Sequence, residues 1–238
     1  MAEAAGGAGP DFTHVRAWVF DLDNTLYPSH CNLFSQIDAR MTRWVSEFLD
    51  LPADEARLIQ KRYYAEHGTT LKGLMARHGM APAEYLDFVH DIDLSVVEAD
   101  SVLRARIEAL PGTRVVFTNG SHGHAERVLE KRGLSGLFDH TFDIVAAGYE
   151  PKPARAAFDR MMEACGVAPD RAAMFEDLER NLEPAHALGF TTVLVRTDHD
   201  WSHEPEGARP AGPGAAPPHA HHVTDDLCAF LGEIRTGA

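Results

Sequence analysis

The sequence predicts an α/β fold in which a parallel β-sheet carries helices on both faces and a smaller all-helical domain is inserted between the first two strands. Five short apolar or β-branched runs have the length and composition of buried strands. Helical patterns that stop at glycine lie between the later runs. The long segment between the first and second runs shows only helical periodicity. Alternating strands and helices indicate the parallel sheet, and the uninterrupted helical block indicates the inserted domain.

The predicted strands are continuous apolar runs, which is typical of strands that are buried on both faces. They cover residues 15–20, 114–118, 142–145, 172–176 and 192–196. The helices predicted between and after them cover residues 123–132, 154–164, 182–188 and 226–234. Gly133, Gly166 and Gly189 follow the first three of these helices, as glycine commonly does past a last turn. In such a sheet, functional side chains gather beyond the carboxyl ends of the strands.

The helical block predicts a cap domain of residues 28–106, set into a core domain of residues 11–27 and 107–238. Its first helix is amphipathic, because apolar residues recur at every third or fourth position. These residues are Leu33, Phe34, Ile37, Met41, Trp44, Val45 and Phe48. Further helices are predicted at residues 53–66, 71–78 and 82–90, with breaks at Gly68 and Gly79. A domain inserted at this point has the position of a lid.

Residues 199–222 are rich in proline, glycine, alanine and histidine and show no periodicity, which predicts a flexible loop. The segment contains His203, His219, His221 and His222. Their spacing matches no known metal site, so we interpret them as part of a solvated loop, with metal binding as the alternative.

The composition argues against several classes of partner. With 22 Lys and Arg against 36 Asp and Glu, the formal net charge is −14, and a broad acidic surface repels nucleic-acid polymers. No apolar run has the length of a membrane helix, and the N-terminus lacks a secretory signal, so we expect no membrane association and a cytoplasmic location. The cysteines, Cys31, Cys165 and Cys228, predict reduced thiols. Small anionic partners stay possible, because a metal ion, a lysine and backbone N–H groups can hold them locally.

Two aspartates, Asp21 and Asp23, stand directly after the first predicted strand. Carboxylates two positions apart at a strand end can converge on one point, where they suit a hard divalent cation. They also suit a division of labour between an ionised nucleophile and a proton carrier. The alternative is a solvated turn, since this composition favours turns.

Two further polar groups follow later strands. Thr118 and Asn119 end the second strand and precede a helix, so their hydroxyl and backbone N–H groups can bind a phosphate. The alternative is a plain helix cap. Lys152 precedes Pro153 at a predicted helix start and can neutralise phosphate charge, unless it is an ordinary surface lysine.

Glu176 and Asp177 end the fourth predicted strand. Adjacent carboxylates at a strand terminus are costly unless a cation compensates them, so Asp177 is predicted to ligate a metal directly and Glu176 to reach it through a water. The alternative is a carboxylate pair that is stabilised by the dipole of the following helix.

Together, the four groups resemble the motifs of the haloacid dehalogenase (HAD) superfamily, subfamily I with a helical C1 cap. In motif order, the matching residues are Asp21 with Asp23, Thr118, Lys152, and Glu176 with Asp177. The resemblance implies a Rossmann-like parallel sheet with strand order 5-4-1-2-3 and a helical cap inserted after the first motif.

The resemblance also implies a phosphatase that forms an aspartyl-phosphate on Asp21. Mg²⁺ would be held by Asp21, the backbone carbonyl of Asp23 and Asp177, with Glu176 bound through a water. Asp23 would protonate the leaving alkoxide and then deprotonate the attacking water.

The phosphate itself would be bound by Thr118, Asn119 and Lys152, with charge stabilisation in the transition state as the main contribution. True dehalogenases lack the second aspartate, because a halide needs no proton, so Asp23 favours phosphate esters.

The cap and its flanks resemble the pyrimidine 5′-nucleotidase branch of the superfamily. The resemblance lies in residues 26–28, 32–34, 62–64, 67–74, 89–93 and 118–120, with Ala125, Val128 and Leu129. It implies hydrolysis of a small phosphorylated metabolite, a nucleoside 5′-monophosphate such as UMP or CMP. Tyr64 and His67 lie one helical turn apart and are candidates for substrate contact, with helix packing as the alternative.

Three other functions are consistent with these residues. The first is a phosphatase for another small phosphate, such as phosphoglycolate or a sugar phosphate, and the second is a phosphomutase. The third is an inactive HAD scaffold that acts as a binding module. A scaffold of that kind is expected to lose at least one of Asp21, Asp23, Lys152 and Asp177, and all four are present.

Overall fold

The computed structural model describes residues 9–197 and 209–237. Its strands are β1 (Asp11–Phe12), β2 (Ala17–Phe20), β3 (Thr113–Phe117), β4 (His140–Phe142), β5 (Ala172–Glu176), β6 (Thr191–Val195), β7 (His222–Thr224) and β8 (Arg235–Thr236). In the described residues, six strands form one parallel sheet of order β4-β3-β2-β5-β6-β7, and β1 pairs with β8 in a small second sheet. The predicted α/β class and the predicted order of the first five strands of this sheet are confirmed.

The centre of the sheet is apolar on both faces, as the continuous runs predicted. Every residue of β2 and of β5 is buried. Phe20 and Phe175 stack on one face with ring centroids 4.6 Å apart, whereas Val19 and Met174 pack into a second core cluster on the other face. Asp21 directly follows β2, Glu176 is the last residue of β5, and Asp177 directly follows it, so these two buried strands bring three carboxylates to the same edge of the sheet.

The helices are α1 (Leu33–Leu49), α2 (Ala53–His67), α3 (Thr70–His78), α4 (Pro82–His90), α5 (Ser101–Glu108), α6 (His122–Arg132), α7 (Arg155–Cys165), α8 (Glu179–Leu188) and α9 (Leu227–Glu233). Short 3₁₀ turns lie at Ser29–Cys31 and Pro169–Arg171. None of these helices has the length and apolar character that crossing a bilayer requires. Helices α1 to α4 share an apolar cluster that includes Ile37, Val45, Tyr63 and Leu74, and Ile144 of the segment after β4 belongs to the same cluster.

Helix α5 lies partly inside the predicted cap range, residues 28–106, yet it packs with the core. Leu103 and Ile107, one turn apart, belong to the same apolar cluster as Phe20 of the central strand. The carboxylate of Asp100 accepts hydrogen bonds from the backbone N–H groups of Val102 and Leu103, which starts this helix. The predicted boundary therefore extends past the point at which the chain returns to the core.

The predicted loop, residues 199–222, differs from the structure in its second half. Residues 199–208, with His203, lie outside the described residues. His222 begins the edge strand β7, which was not predicted because three half-buried residues are too short to show a period. His221 is also held in place, since its Nδ1 lies 2.8 Å from the hydroxyl of Thr192. The backbone N–H of Ala211 donates to the carbonyl of Asp177.

Two predicted boundaries also shift. The third predicted strand, 142–145, ends in fact at Phe142, because the carboxylate of Asp143 accepts hydrogen bonds from the backbone N–H groups of His122 and Ala146. Pro153 precedes α7 and does not lie in its first turn, since that helix begins at Arg155.

Candidate active site

Asp21, Lys152 and Glu176 meet at the carboxyl ends of the central strands. The amine of Lys152 lies 2.6 Å from Oδ1 of Asp21 and 2.7 Å from Oε2 of Glu176. It also donates to the carbonyl of Phe117, the last residue of β3, at 2.8 Å. Lys152 is only 1% exposed, so its charge is fully desolvated and is stabilised by these partners. It is not the surface lysine of the alternative interpretation.

Asp177 completes a cluster of three buried carboxylates. One oxygen each of Asp21, Glu176 and Asp177 lies within 4.8 Å of the others. Burial and the neighbouring Glu176 raise the pKa of Asp21 to about 8, and the same causes raise the pKa of Asp177 well above its usual value. Burial alone would lower the pKa of Lys152, but Asp21 and Glu176 raise it above its ordinary range. The amine of Lys152 thus pairs with two of the three carboxylates.

The donor set fits a hard divalent cation. Three carboxylates converge here, and in the part of the chain that the structure describes the amine of Lys152 pairs with two of them, Asp21 and Glu176. Side-chain oxygens of Asn24 and Asn181 are buried and accept no hydrogen bond within the described part of the chain. The side-chain N–H of Asn24 donates to Oδ2 of Asp177 at 3.3 Å. Oxygen ligands with excess negative charge are what Mg²⁺ or Ca²⁺ prefers, so a cation would relieve the repulsion that raises these pKa values.

The two polar residues after β3 have different positions. The side chain of Asn119 makes two hydrogen bonds to the backbone of Lys152. It donates to the Lys152 carbonyl at 3.2 Å and accepts from the Lys152 N–H at 2.8 Å. Asn119 also lines the cavity described below. The hydroxyl of Thr118 accepts from the backbone N–H of Gly120 at 2.9 Å, and Thr118 is not among the described residues that line the cavity. Its role in phosphate binding stays a prediction.

Asp23 lies beside this cluster and has its own set of partners. Its Oδ1 lies 2.8 Å from the hydroxyl of Tyr27 and 2.9 Å from Nε2 of His124. Burial favours the neutral acid, yet the His124 and Tyr27 contacts outweigh it and hold the pKa of Asp23 below its usual value. Asp21 and Asp23, two residues apart in sequence, therefore have pKa values shifted in opposite directions. An ionised nucleophile and a protonated acid require the reverse order, and a cation bound at Asp21 would lower the pKa of that carboxyl group toward it.

A cavity of about 150 Å³ separates this cluster from the helices of the cap. From the core it is lined by Asp21, Asp23, Asn119, Lys152, Glu176 and Asp177. From the cap it is lined by apolar side chains, among them Phe34, Ile37 and Leu86, and by polar ones, among them Asp38 and Tyr64. An apolar cavity with convergent charges at one end is typical of a site for a small ligand.

The two predicted cap residues are separated by the structure. Tyr64 lines the cavity, and its ring lies under the guanidinium of Arg180 at 4.7 Å, with its hydroxyl accepting from Nη2 of the same arginine. His67 is absent from the cavity lining within the described residues, and its ring lies edge-on against Tyr63 at 5.9 Å. Tyr64 thus lines the cavity, whereas His67 packs within the cap, and a substrate contact by Tyr64 stays a prediction.

Several residues of the site were not identified from the sequence. Tyr27 and His124 contact Asp23, Arg180 contacts Tyr64, and Asp38 forms a buried ion pair in the cap. A signal for Tyr27 was its position four residues after Asp23, directly after a turn that is closed by the Leu26 N–H and the Leu22 carbonyl. His124 lies on α6, which follows β3, and Arg180 lies on α8, which follows β5. In the sequence, neither residue can be distinguished from an ordinary polar residue on the surface of a helix.

Comparison with protein families places this geometry in a known group. A model described as haloacid dehalogenase-like hydrolase matches residues 15–189. Enolase-phosphatase E1 of Frankia alni is 45% identical over 173 residues, which are 69% of this chain and 64% of that protein. Phosphate metabolism protein 8 of Saccharomyces cerevisiae is 25% identical over 207 residues, 80% of this chain and 64% of that protein. The chain therefore spans 64% of the length of each relative.

Solved structures share the fold at low sequence identity. A HAD phosphatase from Thermococcus onnurineus superposes with a TM-score of 0.57 at 18% identity, over 93% of this chain and all (100%) of that one. The L-2-haloacid dehalogenase PA0810 has a TM-score of 0.57 at 15% identity, over 92% of this chain and 98% of that one. Phosphatases and dehalogenases both occur on this fold, so the fold alone does not select between the two reactions.

Proposed function

The chain belongs to the haloacid dehalogenase-like hydrolase family, and on that premise we propose that it is a Mg²⁺-dependent phosphatase that hydrolyses small phosphate monoesters through an aspartyl-phosphate on Asp21. The observation that carries the proposal is the pair Asp21 and Asp23 at one cavity, with only Asp21 beside Lys152. An alkoxide leaving group needs a proton, whereas a halide does not, and Asp23 is a second carboxyl group in the position to supply one. The relative from Frankia alni also carries a phosphatase name.

The reaction has two displacements at phosphorus. A carboxylate oxygen of Asp21 attacks phosphorus, the bond to the ester oxygen breaks, and Asp23 gives its proton to that oxygen. Asp23 then removes a proton from a water, whose oxygen attacks phosphorus and releases inorganic phosphate, and Asp21 is regenerated. Lys152 neutralises charge beside the reacting carboxylate, and Asn119 holds the backbone of Lys152.

Asp21 and Asp177 would hold Mg²⁺, together with the backbone carbonyl of Asp23 and, through a water, Glu176. When bound, the ion would offset the negative charge that the carboxylates and the phosphate bring together. The three-carboxylate cluster supports this assignment, because its charge exceeds what Lys152 compensates.

We expect hydrolysis of para-nitrophenyl phosphate in the presence of Mg²⁺ and its loss on addition of EDTA, with recovery when Mg²⁺ is restored. The physical reason is that the anionic Asp21 cannot approach an anionic phosphate without a cation to screen them. Release of nitrophenol measures the rate, and chloride release from L-2-chloropropionate serves as the matched test for dehalogenation. Dechlorination without phosphate release would contradict the proposal, and absence of both activities would favour an inactive binding module.

For the substrate, we propose a pyrimidine nucleoside 5′-monophosphate. The apolar cap wall and the ring of Tyr64 support binding of the aromatic base of the leaving nucleoside. The alternatives are phosphoglycolate, a sugar phosphate, or transfer of the phosphoryl group within one sugar by a phosphomutase.

A substrate panel is expected to give a kcat/KM for UMP and CMP at least about tenfold above that for phosphoglycolate or glucose 6-phosphate, which corresponds to about 1.4 kcal/mol of extra transition-state binding. Released phosphate is the measurement. Preference for phosphoglycolate or a sugar phosphate would contradict the nucleotide assignment, and isomerised sugar phosphate without phosphate release would indicate a mutase.

A further inference from the structure

One oxygen of Asp23 is held by two donors, and the other is not. Oδ1 lies 2.8 Å from the hydroxyl of Tyr27 and 2.9 Å from Nε2 of His124. No hydrogen bond to Oδ2 occurs within residues 9–197 and 209–237, and Asp23 lines the cavity. Within the described residues, the carboxyl group of Asp23 is therefore hydrogen-bonded at Oδ1 and has no hydrogen-bond partner at Oδ2.

The direction of both hydrogen bonds follows from the groups involved. A neutral phenol has one proton, and toward a carboxylate it must donate. Nδ1 of His124 is buried and has no hydrogen-bond partner within the described residues. A proton on Nδ1 would be buried without an acceptor, so the favoured tautomer carries its proton on Nε2 and donates it to Asp23.

The imidazole ring of His124 is restrained by its own neighbours. Its side chain is fully buried, and its ring stacks on His90 at 4.5 Å with an interplanar angle of 17°. His90 ends the cap helix α4, and its Nδ1 lies 3.0 Å from the hydroxyl of Ser121. Ser121 also caps α6, since its hydroxyl accepts from the backbone N–H of His124 at 3.3 Å. The imidazole therefore has little freedom to rotate away from Asp23.

We propose that Tyr27 and His124 are positioning residues that saturate Oδ1 of Asp23 and so aim Oδ2 at the leaving-group oxygen of the phosphate ester. The inference rests on the proposed phosphatase function, in which Asp23 carries the proton. Neither residue touches the substrate, and each acts by restricting the orientation of the carboxyl group. A rotated carboxyl group would place its proton on the wrong side, and misplacement by about 1 Å can cost roughly 10²-fold in rate.

The dependence of the rate on the leaving group distinguishes positioning from a purely structural role. A proton from Asp23 matters most when the departing oxygen is basic, as in phenyl phosphate, and least when it is a good leaving group, as in para-nitrophenyl phosphate. The two substrates have nearly the same shape, so a general loss of packing would slow both equally. A loss of the orientation of Asp23 would slow hydrolysis of phenyl phosphate more than hydrolysis of para-nitrophenyl phosphate.

The variants are chosen to remove the donors with little change of shape. Tyr27→Phe deletes one hydroxyl, His124→Leu deletes the donor from α6, and His124→Gln retains an N–H group on a side chain of similar reach. His122→Leu is the matched control, since His122 lies on the same helix with its side chain 56% exposed. Thermal melting of each variant confirms that it is folded at the assay temperature.

For phenyl phosphate, we expect Tyr27→Phe and His124→Leu to lower kcat at least about tenfold, a share of the roughly 10²–10⁴-fold that a placed acid supplies, with para-nitrophenyl phosphate slowed about threefold or less. KM changes little, His124→Gln recovers part of the loss, and His122→Leu matches the wild type. Equal losses on both substrates, or no loss in the folded Tyr27→Phe protein, would overturn this inference alone. A wild-type protein inactive on both substrates would overturn the proposed function and this inference with it.

Discussion

Replacement of Asp21 by asparagine is expected to lower kcat by about 10⁴-fold or more, as the loss of the nucleophile does in other enzymes that form covalent intermediates. A neutral amide cannot form the aspartyl-phosphate, and it also removes one oxygen from the carboxylate cluster. The rates of para-nitrophenyl phosphate hydrolysis and of phosphoenzyme formation are the measurements. Asp170→Asn, at an exposed position, is the control and retains full activity.

The same substitution is expected to leave the metal-free protein as stable as the wild type or more stable. Asp21 lies within a cluster of three buried carboxylates, and burial together with repulsion from Glu176 raises its pKa to about 8, so its ionised form is costly in the folded protein. Removal of one carboxylate lowers the repulsion, while Glu176 still pairs with Lys152 at 2.7 Å. Thermal melting in EDTA tests this, and the gain in melting temperature on adding Mg²⁺ is expected to shrink in the variant.

An Asp21→Asn protein with substantial phosphatase activity would refute the covalent scheme, because no other described carboxylate pairs with Lys152 except Glu176. A variant that loses both activity and fold would instead show that Asp21 supports the structure. The melting curves separate these two outcomes.

The core of the site was predictable because its position follows from topology. Asp21, Lys152 and Asp177 are far apart in sequence. Asp21 directly follows strand β2 and Asp177 directly follows strand β5, whereas Lys152 lies ten residues after the end of β4. Carboxyl ends of parallel strands meet at one edge, so apolar runs that end in charged residues are enough to bring these side chains together. The apolar runs that form the strands were thus the informative signal. In the structure, the amine of Lys152 pairs with the carboxylate of Asp21 at 2.6 Å.

The contact between His124 and Asp23 was not predictable, because it depends on which face of α6 packs against the core. His124 is 101 positions away from Asp23, and a histidine in a helix looks the same in sequence whether it faces solvent or a carboxylate. His122, two positions earlier on the same helix, is exposed, whereas His124 is fully buried. The rotation of α6 about its axis decides between them, and packing of Ala125 and Val128 against the core fixes that rotation.

The cap shows the same distinction between spacing and orientation. Spacing predicted that Tyr64 and His67 share one side of α2, but a step of three residues leaves them about 60° apart around the helix. That angle is enough to direct Tyr64 into the cavity and His67 toward Tyr63. Helical periodicity identifies a face and does not choose between two residues near its edge.

Replacement of Lys152 by methionine is expected to have the second largest effect, on stability as well as on activity. Methionine matches the lysine stem in length and leaves Asp21 and Glu176 buried without their cation. Breaking a buried ion pair by removal of one partner costs about 3–5 kcal/mol in the free energy of unfolding. In a chain of this size, about 2–4 °C of melting temperature accompanies each kcal/mol, so a loss of roughly 6–20 °C is expected in EDTA.

The deficit is expected to depend on pH in a defined direction. Burial and the neighbouring Glu176 raise the pKa of Asp21 to about 8, and loss of the amine raises it further, so ionisation of Asp21 continues to oppose folding up to a higher pH in the variant than in the wild type. The melting temperature of Lys152→Met should therefore fall further below wild type near about pH 9 than near about pH 7. Added Mg²⁺ is expected to restore part of the stability, because it supplies charge to the same carboxylates.

A double substitution gives the sharpest check on this account. Lys152→Met with Glu176→Gln removes one charge of each sign from a pair separated by 2.7 Å, so the double variant is expected to be more stable than Lys152→Met alone. Activity stays lost in both, since the charge beside Asp21 is gone. If the double variant were less stable than Lys152→Met, the cost of the lysine substitution would come from lost packing against Phe117 rather than from unpaired charge.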